Sequence, residues 1–257
     1  MAQLSGEQRS KYVQEMFDRI AGRYDLLNRI ISGGQDMKWR RFAVQVAELP
    51  AGGRLLDLAA GTGDIAFEAL ERSPKAQVIG ADFSLGMMRV GRRREPHGPK
   101  VAWMGADALA LPYADESFDA VVSGYLMRNV SDIPRALAEQ WRVLKPGGRI
   151  VILDTSPPPD NALKPFILLH LKLGVPMLGR LIGGEAAADA YQYLPKSTQA
   201  FKTEHELKAL VESAGFGEVE FKGFMFGTIA VHWGVKQRKL TEAEAPREPS
   251  SGRIIPQ

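Results

Sequence analysis

Residues 54–70 read RLLDLAAGTGDIAFEAL, and this stretch decides the architecture. The short apolar run 54–59 reads as a buried strand. Gly61 and Gly63 supply a turn, and helical spacing resumes from Asp64. Gly61-Thr62-Gly63-Asp64-Ile65-Ala66 satisfies G-x-G-x-x-G/A, a pattern used to seat a pyrophosphate on a helix N-terminus. The stretch therefore poses a choice between a dinucleotide and a ligand of different charge.

Outward from this stretch, strand and helix alternate. Short apolar runs lie at 54–59, 77–82, 100–104, 118–123 and 149–154, with helix-like segments at about 64–72, 84–94 and 132–144. That rhythm predicts βαβ units, hence an α/β fold with a mostly parallel sheet and helices on both faces. Ser84 is placed to cap the second helix. Ser131 or Asp132 can cap the third, with Pro134 in its first turn. LKPGG (144–148) ends that helix and turns into a strand. TEHE (203–206) is a capping box for a later helix stopped by Gly215, and strands at 218–224 and 228–235 follow. Upstream, Tyr12, Met16, Ile20, Leu27 and Ile31 fall near helical spacing, with Arg19, Arg23 and Arg29 on other faces. This reads as one amphipathic helix or a pair.

Composition narrows the function. The absence of cysteine excludes disulfides, thiolate metal sites and a cysteine nucleophile, and is compatible with a reducing cytoplasm. A net charge of +3 is too mild for a nucleic-acid-binding signature. The N-terminal residues lack the apolar core of a signal peptide, and no run approaches the ~20 apolar residues that span a bilayer.

Three acids decide the ligand on the glycine turn. Asp57 ends the first strand, Asp82 ends the second and Asp107 follows the third. At successive strand ends of an open α/β sheet they converge on one crevice. Such a cluster repels a pyrophosphate and is costly without donors or cations to share it. A sulfonium bearing an ammonium, a ribose diol and an adenine amine satisfies it, which points to S-adenosylmethionine as cofactor. A nicotinamide-dependent oxidoreductase is the more distant alternative. It would leave Asp57 and Asp107 unexplained, and no Ser/Tyr/Lys set accompanies it. An RNA methyltransferase lacks an aromatic-basic strip here, and a non-catalytic binding or assembly subunit would not need the intact turn and acids.

LLDLAAGTGD, GADFSLGMM, GADALALPYADESFDAVVSGY and WRVLKPGGRIVILD resemble, in order and spacing, the motifs of class I S-adenosylmethionine-dependent methyltransferases over about 50–155. That resemblance implies a Rossmann-like sheet with an antiparallel last strand. It also implies that Asp57, Gly61, Thr62 and Gly63 line the methionine end and Asp82 takes the ribose hydroxyls. Met87 then packs near the adenine, Asp107 and Ala108 meet its amine edge, and Ser123 and Gly124 form the floor. YDLLNRIISGGQDMKW (24–39), RNVSD, YQYLPKST and AGFGEVEFKGFMFGTIAVHWGVK resemble the ubiquinone/menaquinone-biosynthesis C-methyltransferases in particular, across 13–236. Three departures stand out. Leu27 replaces a usual methionine, Asp36 stands where histidine is common, and LDTSPPP replaces a glutamate-led EFSKP.

The resemblance implies methyl transfer to a ring carbon of a prenylated quinol, with another aromatic or prenylated acceptor as the alternative. Because the ring is electron-rich and the sulfonium a strong donor, the protein must mainly align them and ease loss of a phenolic proton. Arg128 is the candidate catalytic residue, as the group polarising the quinol oxygen; the competing reading is a structural arginine. His232 reads as a core histidine, and Tyr24 as a lid over the cofactor or a buried aromatic. PFILLHLKLGVPMLGRLIGG (165–184) is apolar but interrupted by Lys172, Pro176 and Arg180. It reads as a buried cap helix, with a prenyl channel or membrane-surface segment as the rival reading. The cluster Arg89, Arg92, Arg93 and Arg94 reads as a solvated helix face, the rival being contact with lipid headgroups. The expected organisation is an N-terminal helical cap at 1–48, a methyltransferase domain at 49–236 with a substrate-cap insertion at about 156–202, and a disordered tail at 237–257. A homo-oligomer and a peripheral contact with the inner face of the membrane are left open.

Overall fold

The computed structural model describes residues 6–183 and 185–237. Seven strands form one sheet: β1 (Arg54–Leu58), β2 (Gln77–Asp82), β3 (Ala102–Gly105), β4 (Phe118–Gly124), β5 (Leu144–Thr155), β6 (Phe216–Phe224) and β7 (Ile229–Lys236), in the order β3-β2-β1-β4-β5-β7-β6. β1 pairs in parallel with β2 and β4, and β4 with β5; only β7 runs antiparallel, between β5 and β6. The strand order reverses between β1 and β4, so the ends of these strands frame the crevice where such sheets bind ligands.

The helices are α1 (Gly6–Ile20), α2 (Tyr24–Ile31), α3 (Asp36–Val46), α4 (Asp64–Arg72), α5 (Leu85–Arg94), α6 (Ile133–Val143), α7 (Lys164–Leu169), α8 (Val175–Gly183), α9 (Glu185–Gln199) and α10 (Glu204–Ser213). A π-helical turn at His170–Gly174 joins α7 to α8. The N-terminal segment is thus a pair of helices. Ser84 caps α5, Asp132 rather than Ser131 caps α6, and Thr203 and Glu206 form the capping box of α10. LKPGG opens β5: Leu144 pairs with Phe118, the register shifts, and the ladder resumes at Arg149, with Gly147 at φ +81° making the bend.

Alternation along β1 divides the core. Leu56 and Leu58 join Phe118, Leu137 and Ile152 on one face, while Leu55 joins Val122, Val151 and Ala66 on the other. A third apolar cluster, of Met16, Ile20, Leu27, Val175 and Ala190, fastens α1 and α2 to α8 and α9. The N-terminal helices and the helices after β5 thereby form one roof. The segment 162–182, expected as a buried cap helix, differs: among its described side chains only Val175 is buried, and Phe166, Leu169, Leu173 and Met177 are exposed. The run is too short and too broken to be enclosed on all sides, so one stripe packs and the rest faces outward. The expected disordered tail lies, from residue 238, outside the described residues.

Candidate active site

A cavity of about 130 Å³ sits over the C-terminal ends of β1, β2 and β4. Gly61, Asp82, Met87, Asp107, Ala108, Gly124 and Tyr24 line it, so seven of the expected cofactor residues are brought together. Asp82 accepts the Gly61 N–H through Oδ2 and the Ser84 N–H through Oδ1, each at 2.7 Å. Burial nonetheless pushes its carboxyl up to about 6, and the like charge of Asp18 adds to the rise. Gly61 has φ +57°, and a Cβ there would press on Met87 Cε at 3.3 Å. Asp107 accepts the Leu109 N–H at 2.9 Å, an Asx turn that holds it in the wall.

Four expected residues lie outside this wall. Asp57 is fully buried beneath it: Oδ2 accepts the Ala66 N–H at 3.0 Å, and Oδ1 has no partner among the described residues. Burial pushes its carboxyl up to about 8, with Asp82 contributing. The three acids gather as the spacing suggests, but one forms the foundation of the crevice because it bonds the N-terminus of α4. Thr62 donates its hydroxyl to Asp25 of α2 at 2.6 Å instead of facing the cavity. Gly63, at φ +89°, is a packing position, where a Cβ would stand 2.7 Å from the Trp103 ring. Ser123 is buried inside β4, and its hydroxyl has no partner among the described residues.

The roof is bolted to this crevice by polar contacts that sequence spacing did not reveal. From α1, Asp18 accepts the Ser84 hydroxyl at 2.5 Å and the Gly86 N–H at 2.9 Å, and Gln14 donates to the Phe83 carbonyl at 2.8 Å. Asp64, the first residue of α4, receives Arg29 and Arg94, each at 2.9 Å, with Arg40 Nε at 3.6 Å. These three cations outweigh the cost of burial and hold the Asp64 carboxyl below the usual range. Arg94 also pairs with Asp25 at 2.6 Å, so it is tied into the frame although it is exposed, as Arg89, Arg92 and Arg93 are.

A larger cavity, about 370 Å³, adjoins the first and shares Phe17, Tyr24 and Tyr125 with it. Its wall is mostly apolar, drawn from Met16, Ile20, Trp39, Phe166, Leu171 and Leu194 among others. Arg128 lies in this wall, ion-paired with Asp154 at 2.8 Å and stacked over the Tyr125 ring at 4.9 Å from its centroid. Asp154 and the nearby tyrosines hold it firmly protonated against burial, so it cannot act as a base. Its Nε is buried without a hydrogen-bond partner among the described residues, as are Asn28 Nδ2, Thr155 Oγ1 and Thr198 Oγ1 of the same wall. Tyr125 has φ +59°, an uncommon backbone conformation for a tyrosine, at the junction of the two cavities. Asp36 is held by Arg29, by Arg40 at 2.6 Å and by the Ser32 hydroxyl at 3.0 Å, a structural anchor at the edge of the chamber. His232 lines neither cavity; its Nε2 is 2.9 Å from the Glu204 carbonyl, and burial lowers its pKa.

No lysine or arginine is among the described residues that line the smaller cavity, whereas Asp82 and Asp107 are. That donor set suits a cationic ligand carrying a diol and an amine, and disfavours a pyrophosphate. S-adenosylmethionine therefore fits. No group of acids and histidines among the described residues suits a metal ion.

Known proteins agree. A profile of the ubiE/COQ5 methyltransferase family matches residues 3–236. The ubiquinone/menaquinone biosynthesis C-methyltransferase UbiE of Desulfotalea psychrophila is 50% identical over 224 residues, 87% of this chain and 90% of that protein. The demethylmenaquinone methyltransferase of Thermus thermophilus is 47% identical over 220 residues, 85% of this chain and 99% of that protein. In fold, the chain resembles an S-adenosylmethionine-dependent methyltransferase from Thermotoga maritima, described as a possible histamine N-methyltransferase. The TM-score is 0.60 at 23% identity, covering 87% of this chain and 99% of that one. The sheet order, the acid-lined crevice and these matches lead to one assignment: the chain belongs to the ubiE/COQ5 methyltransferase family.

Proposed function

We propose that the protein methylates a ring carbon of a polyprenylated quinol, with S-adenosylmethionine as donor and demethylmenaquinol or the related benzoquinol as acceptor. The observation that carries this reading is the pairing of cavities. A small acid-lined one meets a large apolar one at Phe17, Tyr24 and Tyr125. When bound, the cofactor supplies an electrophilic methyl group on sulfur. Asp82 is the group to hold its ribose hydroxyls, Asp107 with the Ala108 backbone its adenine edge, and Gly61 and Gly124 give room. Asp57, Thr62, Gly63 and Ser123 support that surface from beneath.

In the larger cavity, Arg128 stabilises negative charge on the phenolic oxygen beside the reacting carbon. Its fixed positive charge in an apolar wall is worth more there than in water. The acceptor's ring carbon takes the methyl group and then gives up its own proton to restore aromaticity. S-adenosylhomocysteine and one proton are the other products. Tyr24 and Tyr125 separate the chambers and keep water from the transfer site.

On this reading the described parts of the N-terminal cap (1–48) and of the insertion (156–202) roof the acceptor chamber, and Tyr125, Arg128 and the segment 225–229 complete its wall. No described helix is long and apolar enough to cross a membrane. At the mouth, Phe166 and Phe226 line the chamber yet are 70% and 71% exposed, with Leu169, Leu173 and Met177 also exposed nearby along the chain. This apolar rim is the place where the protein rests on a bilayer and draws in a prenyl tail. Sedimentation with anionic vesicles tests the contact: Phe166→Ser should reduce binding, and an unchanged bound fraction would remove the idea.

The direct test is incubation with labelled S-adenosylmethionine and each acceptor, followed by locating the label. Label on ring carbon is expected. Label on oxygen, or none with either quinol, overturns the proposal.

A further inference from the structure

Besides Tyr24 and Tyr125 at its junction with the smaller cavity, the larger chamber is lined by five described hydroxyl side chains, which divide into two groups. Ser32 donates to Asp36 at 3.0 Å, Thr228 to the Met225 carbonyl at 2.8 Å and Tyr193 to Asn129 at 3.1 Å. Thr155 and Thr198, in the same wall, have buried Oγ1 atoms with no partner among the described residues. Both are more than nine-tenths buried, at 8% and 2% exposure. A buried hydroxyl left without a hydrogen bond costs about 1–3 kcal/mol, so two in one apolar chamber call for a ligand.

Neither hydroxyl is taken up by the local backbone. A threonine in a helix ordinarily bonds back to the carbonyl three or four residues earlier. Thr198, in α9, does not; the Leu194 carbonyl four residues before it accepts the neighbouring Ser197 hydroxyl at 3.1 Å. Thr155 ends β5, directly after Asp154, whose Oδ1 takes both the Thr155 N–H at 2.7 Å and Arg128 at 2.8 Å. The ion pair therefore fixes the backbone that carries the Thr155 hydroxyl.

We propose that Thr155 and Thr198 form a neutral polar subsite for the acceptor's second ring oxygen, the one away from the reacting carbon. The inference rests on the quinol reading above. It distinguishes two kinds of partner within one chamber. The charged Arg128 suits the oxygen on which negative charge develops. The threonine hydroxyls, each able to donate and accept, suit an oxygen that stays a neutral hydroxyl. With both oxygens held, the ring has one way to present a carbon to the methyl group. The two threonines are positioning residues that set the preference for a para-diol over a mono-phenol.

The test compares two prenylated naphthalene acceptors under reducing conditions. One is the para-diol; the other keeps the hydroxyl beside the reacting carbon and lacks the second. Thr155→Val and Thr198→Val remove each hydroxyl at nearly constant volume, and Thr198→Ser keeps it. For either valine variant, KM for the diol should rise about 5- to 10-fold, the scale of one neutral hydrogen bond. The mono-phenol KM should stay within about twofold, and the serine variant should retain the diol preference. Affinity for S-adenosylmethionine, measured by calorimetry without acceptor, should not move. If both valine variants keep the wild-type ratio of diol to mono-phenol, the subsite is refuted while the quinol reading stands. A wild-type protein that methylates neither compound overturns that reading and the subsite with it.

Discussion

The two cavities are built by opposite means. In the smaller one the recognition groups are backbone-fixed: Asp82 is clamped by the N–H groups of Gly61 and Ser84, and Asp107 by that of Leu109. In the larger one most of the wall is side chains from α1, α2, α3, the helices after β5 and the segment around Thr228, with Tyr125, Arg128 and Thr155 reaching in from the ends of β4 and β5. The smaller site rests mainly on strand ends and short turns, closed over by Val13, Gln14, Phe17 and Tyr24. The larger one owes most of its wall to the roof packed on the sheet. A group-transfer enzyme gains from this division, because a constant donor can be held by rigid backbone while the acceptor chamber varies by side-chain replacement.

The division predicts separable defects, and the largest belongs to Asp82. On the proposed reading, Asp82→Ala removes the acceptor for the ribose hydroxyls, and hydrogen bonds to a charged group are worth about 1.5–3 kcal/mol each. Affinity for S-adenosylmethionine should fall at least about 100-fold by calorimetry. Binding of a prenylated quinone in the larger chamber should stay within about twofold. If the quinone is lost equally, the two cavities are one unit and the contrast drawn here is wrong.

Next in size is Arg128→Lys. Lysine keeps a positive charge against Asp154 but loses the planar fork and its Nε. The turnover number should fall about 10- to 100-fold with cofactor affinity unchanged, the reverse of the Asp82 pattern. Arg128→Ala is less informative, because it strands the buried Asp154 carboxylate at a cost of about 3–5 kcal/mol and would show first as a lower Tm. Normal turnover in the lysine variant would leave Arg128 with a structural role alone.

The same contrast explains what the sequence disclosed. Strand ends, glycine turns and helix caps are short-range, so Gly61, Asp82 and Asp107 could be placed together from spacing, and the sheet order follows from βαβ rhythm. Spacing does not tell which acid faces a cavity and which faces a helix end: Asp57 bonds the Ala66 N–H beneath the crevice, and Thr62 bonds Asp25. The roles of Asp18, Asp25, Asp64 and Arg94 are not legible in the sequence, because their partners are far away along the chain. An acid on a helix face looks solvated until its arginine arrives from elsewhere. Tyr125 carried one unread signal: it follows Gly124 at the end of β4, where a chain leaving a strand over a switch point must turn sharply.

The smallest predicted effect concerns acidity beneath the smaller cavity. Burial pushes Asp57 up to about 8 when folded, against 3.8 as its ordinary value, so the folded state retains a proton that the unfolded chain has released. Stability linked to this group is therefore present at low pH and lost as pH rises from about 4 through 8. Tyr125 at the chamber junction, pushed up to about 12, stays neutral throughout that window and contributes no slope. Urea unfolding of the ligand-free protein at pH 5 and pH 8 should show a loss that Asp57→Asn reduces by about 1 kcal/mol, the full linkage being softened by relaxation around a new charge. Asparagine keeps an oxygen for the Ala66 N–H and cannot titrate, so the comparison isolates the proton. Parallel curves for the two proteins would mean that Asp57 is already ionised in the fold, and the floor of the cofactor cavity would then be as negative as its wall.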